Sequence, residues 1–327
     1  MMYSQISATG SYLPERVVRN EDLTQFRAKS LPIIARKSGV QERRHAHPSE
    51  ATSDLAAQAA KACLCRAGIE ASEIDGIILA TCSPDQPIPA TSAIIQAKIG
   101  AWNAFTFDVN ASCTGSLLAL RIADTMLRAG SARRILVLAA EVLSRLQDPN
   151  NFSTYPYFGD GAGAVLLEAA ECPTKPYITH AVFHCDGRKA DWIRIQAGGS
   201  RMPHVTDPRL HYLEMSGRDV FDFAIARGTE LIDELCQLCD LNKIALNHLV
   251  LHQANIHIIH SIADKTGIPQ ERFATNLSQY GNTGAASILI AYDELINKHL
   301  DQGMEGPCLL VGFGAGLTWG GLSLALP

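Results

Sequence analysis

The chain carries a weak internal repeat. The segment "IDGIILATCSPD" is paralleled by "LNHLVLHQANIH", which sets Cys82 against His252 at an offset of 170. "NASCTGSLLALRIADTMLRAG" is paralleled by "SQYGNTGAASILIAYDELINK", which sets Cys113 against Asn282 at an offset of 169, and "RILVLAAE" matches "PCLLVGFG" at a similar one. Three segments that keep order and near-constant separation imply two copies of one α/β unit packed side by side. A chain of 327 residues has room for both. The expected halves are 1–172, carrying Cys113, and 173–327, carrying His252 and Asn282. The apolar runs "DGIILAT", "FTFDVN", "RILVLAAEV", "GAGAVLLEA", "HLVLHQ" and "CLLVGFG" are nearly continuous rather than alternating. Strands of that kind are buried on both faces, so the fold class is layered α/β. Gly68, Gly130 and Gly267 follow helical patterns where a helix-ending residue with positive φ belongs.

The repeat has a chemical consequence. Ligands of open α/β sheets collect outside the carboxyl ends of the strands. Cys113, His252 and Asn282 all fall at expected strand-to-helix turns on that edge and can share one pocket. A cysteine at a helix N-terminus faces free N–H groups and the positive end of the dipole, which stabilise thiolate and lower its pKa from about 8.5 toward or below neutrality. Ala111, Ser112 and Gly115 leave room beside the sulfur. Each residue alone has a plainer reading: a small buried hydrophobe, a hydrogen-bonded core histidine, a Gly-Asn turn in "QYGNTGAAS". Their joint occurrence favours chemistry.

Other features exclude function classes. Nine scattered cysteines without paired spacing read as reduced thiols, the cytoplasmic pattern. Cys236 and Cys239 form a C-x-x-C inside a helical pattern with no second pair, and His257 and His260 have no acidic partner nearby, so no metal site is expected. "FGDGAGAV" and "GFGAGLTWGG" hold G-x-G fragments without a full nucleotide-binding fingerprint. Backbone N–H groups of the second suit an oxyanion. A formal charge of −5 offers no basic field for nucleic acid, and neither a signal peptide nor a membrane span is expected.

Cys113 in "NASCTGSLLAL", His252 in "HQAN", Asn282 in "GNTGAAS" and the terminal "GFGAGLTWG" resemble the β-ketoacyl-acyl-carrier-protein synthase III family of the thiolase superfamily, with support from "SGVQERR" and "FGDGAGAV". The resemblance runs over essentially the whole chain. It implies a duplicated thiolase-like αβαβα fold, a homodimer and an acyltransferase that needs no cofactor or metal. By the same resemblance Cys113 takes an acyl group from acyl-CoA. His252 and Asn282 stabilise the enolate formed as a malonyl thioester loses CO2, and the N–H groups of Cys113 and Ala315 form a second oxyanion hole. Phe313, Asn255, Phe152, Ile33, Lys37, Arg218 and Ile88 fall at substrate-contacting positions.

Several of these positions depart from the family. Ile33 and Phe152 stand where a Trp and an Arg sandwich the adenine of CoA, and Lys37 where an Arg is common. The face that docks acyl carrier protein is less basic, with His257, Asp264 and Lys265 on one helix and Asp222 on another, although Arg218 and Arg227 lie near. Like charges there oppose an acidic partner. Ile88 replaces the Phe that reaches across the dimer to limit chain length. These changes point to specialised acyl specificity in secondary metabolism or atypical lipid assembly. A second reading is transfer of the acyl group from Cys113 to an alcohol or amine without condensation. A third, a non-catalytic subunit, conflicts with the intact Cys113, His252 and Asn282.

Overall fold

The computed structural model describes residues 2–299 and 306–325. The chain opens with β1 (Tyr3–Tyr12), β2 (Arg16–Arg19), α1 (Leu31–Ser38), β3 (Glu42–His45) and α2 (Thr52–Ala67). It continues through β4 (Gly76–Ala80), α3 (Thr91–Ile99), β5 (Phe105–Val109), α4 (Gly115–Arg128), β6 (Arg134–Glu141) and β7 (Gly161–Ala170). Then come β8 (Tyr177–Cys185), β9 (Ile193–Arg194), β10 (Glu214–Met215), α5 (Gly217–Leu238), β11 (His248–Leu251) and α6 (Ile256–Thr266). The last elements are β12 (Phe273–Ala274), α7 (Leu277–Tyr280), α8 (Ala286–Lys298), β13 (Cys308–Gly314) and β14 (Thr318–Ala325).

Ten strands lie in the order β12-β11-β13-β14-β8-β1-β7-β6-β4-β5. Read outward from the middle, β1-β7-β6-β4-β5 repeats as β8-β14-β13-β11-β12. Each run has two antiparallel pairings followed by two parallel ones. The runs pair at Gln5 against Tyr177, beside a hydrogen bond from Ile6 N–H to Pro176 O at 2.6 Å. The repeat seen in the sequence is therefore a repeat of strand order.

Strand residues alternate between two apolar layers, as the pleat requires. Ile135, Val137 and Ala139 of β6 join α4 and α8 in a central layer, while Leu136, Leu138 and Ala140 face α2 and α3. On β13, Leu310 turns to the central layer, whereas Leu309 and Val311 face α5 and α6. The result is the expected αβαβα stack.

Two fully buried acids anchor the central helices, 169 positions apart like Cys113 and Asn282. Asp124 of α4 accepts from Ser4 of β1 and pairs with Arg121 and Arg128, both at 2.6 Å. Asp293 of α8 accepts from Thr9 and Ser11 of β1, each at 2.6 Å, and pairs with Arg66 of α2. Gly68, Gly130 and Gly267 have φ of 69°, 73° and 74°, as their positions after helices require. Among the described residues no helix is long and apolar enough to cross a membrane.

Candidate active site

Cys113 leaves β5 through a tight turn. Ser112 takes φ of 48°, a 3-10 turn spans Ser112–Thr114, and α4 starts only at Gly115. The end of β13 presses against it: a Cβ on Gly314 would lie 2.9 Å from the Cβ of Cys113 and 3.3 Å from its sulfur. Only glycine lets the two backbones approach this closely. Thr318 donates to Ala315 O at 2.9 Å, which pins the next turn beside the sulfur. The N–H groups of Cys113 and Ala315 enter no backbone hydrogen bond among the described residues.

His252 follows β11, its N–H donating to Val311 O at 2.8 Å. Its ring lies edge-on to Phe313, centroids 5.7 Å apart, and Nδ1 is 2.7 Å from Ser287 Oγ. Burial pushes its pKa down to about 3, so the imidazole is neutral.

Asn282 does not follow a strand directly, because the single turn α7 intervenes. Its position comes from a clasp between the start of "FGDGAGAV" and "QYGNTGAAS". Its N–H donates to Tyr157 O at 2.8 Å and its carbonyl accepts from Gly159 N–H at 3.0 Å. A Cβ on Gly159 would lie 2.1 Å from Tyr280 O, and one on Gly281 2.8 Å from Tyr157 O, so both positions exclude a side chain. "FGDGAGAV" thus clasps backbone. The side-chain Oδ1 of Asn282 accepts from Gly284 N–H at 2.9 Å, leaving its –NH2 as a donor.

These three side chains line one cavity of about 100 Å3 together with Phe313 and Ala315. Its other walls are mostly apolar, among them Leu143, Phe158, Ile193, Met215 and Phe223. A wider cleft of about 710 Å3, between α5 and the segment from Cys185 to Trp192, contains none of the three.

The expected thiolate is not what the site favours. Burial, and then the charge of Glu141, push the Cys113 thiol up to about 12, while its own backbone N–H works the other way. A sulfur inside an apolar cavity loses more from desolvation than one short turn of N–H groups returns. Sequence reasoning missed Glu141. This fully buried carboxyl at the end of β6 accepts from Cys82 N–H and from the hydroxyls of Thr81 and Ser83, and Cys82 lines the cavity too. Its only sequence signal was an acid ending an otherwise apolar strand. Ser287, on α8, was also missed.

The outer positions stay outside the cavity. Asn255 is engaged within the fold: Oδ1 caps α6 by accepting from His257 N–H at 2.9 Å, and Nδ2 donates to Lys37 O at 2.9 Å. Ile33 and Lys37 lie on α1, and Phe152 packs edge-on against Phe26 at 5.1 Å, in a cluster that includes Ile34 and Ile256. Arg218 is exposed at the start of α5, and Ile88 is 85% exposed. Arg227 is committed to Glu230 at 2.5 Å and to the ring of Trp319. His257 Nε2 lies 2.8 Å from Arg36 O. No group of three metal-ligating side chains occurs among the described residues.

Known proteins resemble this chain over most of its length. Residues 107–187 match the family model for 3-oxoacyl-[acyl-carrier-protein (ACP)] synthase III, and residues 236–326 match the model for its C-terminal part. A β-ketoacyl-[acyl-carrier-protein] synthase III of Streptococcus equi subsp. zooepidemicus is 41% identical over 98% of this chain and 99% of its own. The crystal structure of the Aquifex aeolicus 3-oxoacyl-[acyl-carrier-protein] synthase III superposes with a TM-score of 0.89 at 35% identity, over 98% of this chain and 99% of that one. The priming β-ketosynthase of the R1128 polyketide pathway superposes at 0.90 with 32% identity, over 99% and 96%.

Proposed function

This chain belongs to the 3-oxoacyl-[acyl-carrier-protein] synthase III family of condensing acyltransferases, and on that premise we propose that it loads an acyl group on Cys113 and extends it with a malonyl thioester. The observation that carries the proposal is the convergence of Cys113, His252 and Asn282 on one largely apolar cavity.

In the first step the sulfur of Cys113 attacks the carbonyl of an acyl-CoA. The C–S bond to CoA breaks, and the proton of Cys113 ends on the departing CoA thiol. With His252 near 3 and Cys113 near 12, the imidazole is no resting acceptor for that proton, so loss of S–H accompanies carbon–sulfur bonding. The N–H groups of Cys113 and Ala315 receive the oxyanion.

In the second step the malonyl C–COO⁻ bond breaks, CO2 departs, and its electron pair forms an enolate. A ring N–H of His252 and the –NH2 of Asn282 donate to the enolate oxygen. The enolate carbon attacks the acyl carbonyl, the acyl C–S bond to Cys113 breaks, and its electron pair returns to sulfur. A thiol held up to about 12 then takes a proton from solvent and resets the site.

Further parts of the reading rest on particular residues. Ile88 is smaller than Phe and lies outside this chain's own cavity, which suits a partner-borne wall that admits longer or branched acyl groups. The edge strand β5 and its surroundings expose Phe105, Trp102 and Ile88, an apolar edge that a second copy would cover to form a homodimer. The halves divide between residues 172 and 173, in the connection from β7 to β8. Nine free thiols fit the cytoplasm. Asp222 and Asp264 make docking of an acidic carrier weaker, which favours malonyl-CoA or a less acidic carrier.

Intact-protein mass spectrometry with a panel of acyl thioesters, followed by malonyl-CoA or malonyl carrier protein, tests the reaction. The wild type is expected to acylate and Cys113→Ala to stay unmodified. Asn282→Ala should acylate but release no CO2, and unchanged condensation by that variant would remove the role given to Asn282. Acyl transfer to an alcohol or amine without CO2 release would replace condensation with simple transfer. Preference for acetyl-CoA over all longer donors would end the claim of specialised specificity.

A further inference from the structure

Donation by neutral His252 depends on which ring nitrogen holds the proton. We infer that Ser287 is a positioning residue that fixes His252 as the Nε2–H tautomer through its hydrogen bond to Nδ1, so that the remaining N–H faces the cavity. This rests on the proposed reaction for its purpose, while the geometry stands apart from it.

Ser287 Oγ lies 2.7 Å from His252 Nδ1 and 3.3 Å from the backbone N of Gln253. A hydroxyl has one proton to give and lone pairs to receive. Gln253 N–H is always a donor, so it occupies a lone pair on Ser287. Among the described residues the acceptor within reach of the Ser287 proton is Nδ1. An acceptor on Ser287 for an Nδ1 proton would leave its own O–H without a partner in a site where Ser287 is 1% and His252 2% exposed. Leaving a buried polar hydrogen unpaired is unfavourable, so the proton on the ring stays at Nε2. Nε2 makes no hydrogen bond among the described residues, and His252 lines the same cavity as Cys113. Ser287 also sits in the first turn of α8, whose Asp293 is tied to β1, so the hydroxyl is held on a rigid element.

The test reads the tautomer directly and the half-reactions separately. In protein labelled with 15N-histidine, with the His252 signals identified by their loss in His252→Asn, the wild type should show an unprotonated Nδ1 and a protonated Nε2. Ser287→Ala should show exchange between tautomers, acylate Cys113 within about twofold of wild type, and lose malonyl decarboxylation at least about tenfold. Ser287→Thr, which keeps the hydroxyl, should restore the wild-type ring spectrum. A protonated Nδ1 in the wild type overturns the inference, as does full decarboxylation by Ser287→Ala. Failure of wild type to decarboxylate any malonyl thioester would instead overturn the proposed reaction, and the ring spectrum would still report the tautomer.

Discussion

Around Cys113, burial and the charge of Glu141 act in the same direction, both opposing ionisation. The carboxyl of Glu141 is itself raised by desolvation, against the pull of its hydrogen bonds from Ser83 and Cys82. It also lies against Gly284, where an added Cβ would come within 3.4 Å of Oε1, so it braces the loop that orients Asn282. Replacing Glu141 with Gln keeps the shape and removes the charge. The pH midpoint for alkylation of Cys113 by iodoacetamide, followed at peptide level, should fall by about one unit in Glu141→Gln. An unchanged profile in a folded variant would show that burial alone sets the thiol. None of this was legible in "NASCTGS". The candidate nucleophile was recognisable there, but the burial that raises its thiol, and the acid 28 positions later that adds to it from β6 beside Cys82, were not.

Among the elements, α4 and α8 are held to β1 by equivalent acids. Asp293→Ala removes the acceptor for Thr9 and Ser11 and takes from Arg66 its charged partner, leaving the bond to Thr9 O. The arginine is 43% exposed and can rehydrate, so the expected loss is about 2–3 kcal/mol in urea unfolding, toward the lower end for a broken buried pair. A loss below about 0.5 kcal/mol would mean the network contributes little. Asn255 gives a second case. As the cap of α6 its replacement by Ala should lower stability by about 1 kcal/mol, with no change in acylation of Cys113. A large change in acylation with intact stability would return Asn255 to the substrate. Helix ends such as Gly68 and Gly267 could be read from sequence, because a single residue's backbone freedom marks them. The clasp around Asn282 could not, because Gly159 and Gly281 are required by each other's backbone, more than a hundred residues apart.

The whole molecule buries two histidines in neutral form. Burial lowers His252 to about 3, and burial followed by the charge of Arg43 lowers His45 to about 4. Below the ordinary value of 6.5 the unfolded chain takes up protons that the folded one refuses, so stability present above pH 6.5 is lost as pH falls toward 4. Each histidine contributes a slope of up to about 1.4 kcal/mol per pH unit. Urea unfolding at pH 7, 5.5 and 4.5 should show the decline, and His45→Gln should reduce its slope by one proton. A flat profile would mean that neither ring is withheld from water. The duplication, and the candidacy of Cys113, His252 and Asn282 for one shared site, could be read from the sequence itself, since apolar periodicity and small residues at turns are local and recur at a fixed offset. The tertiary structure alone decides the burial that raises the Cys113 thiol, the hydrogen bond between Ser287 and Nδ1 of His252, and the capping of α6 by Asn255. Those properties arise from desolvation and from hydrogen bonds between residues distant along the chain, and no local pattern encodes them.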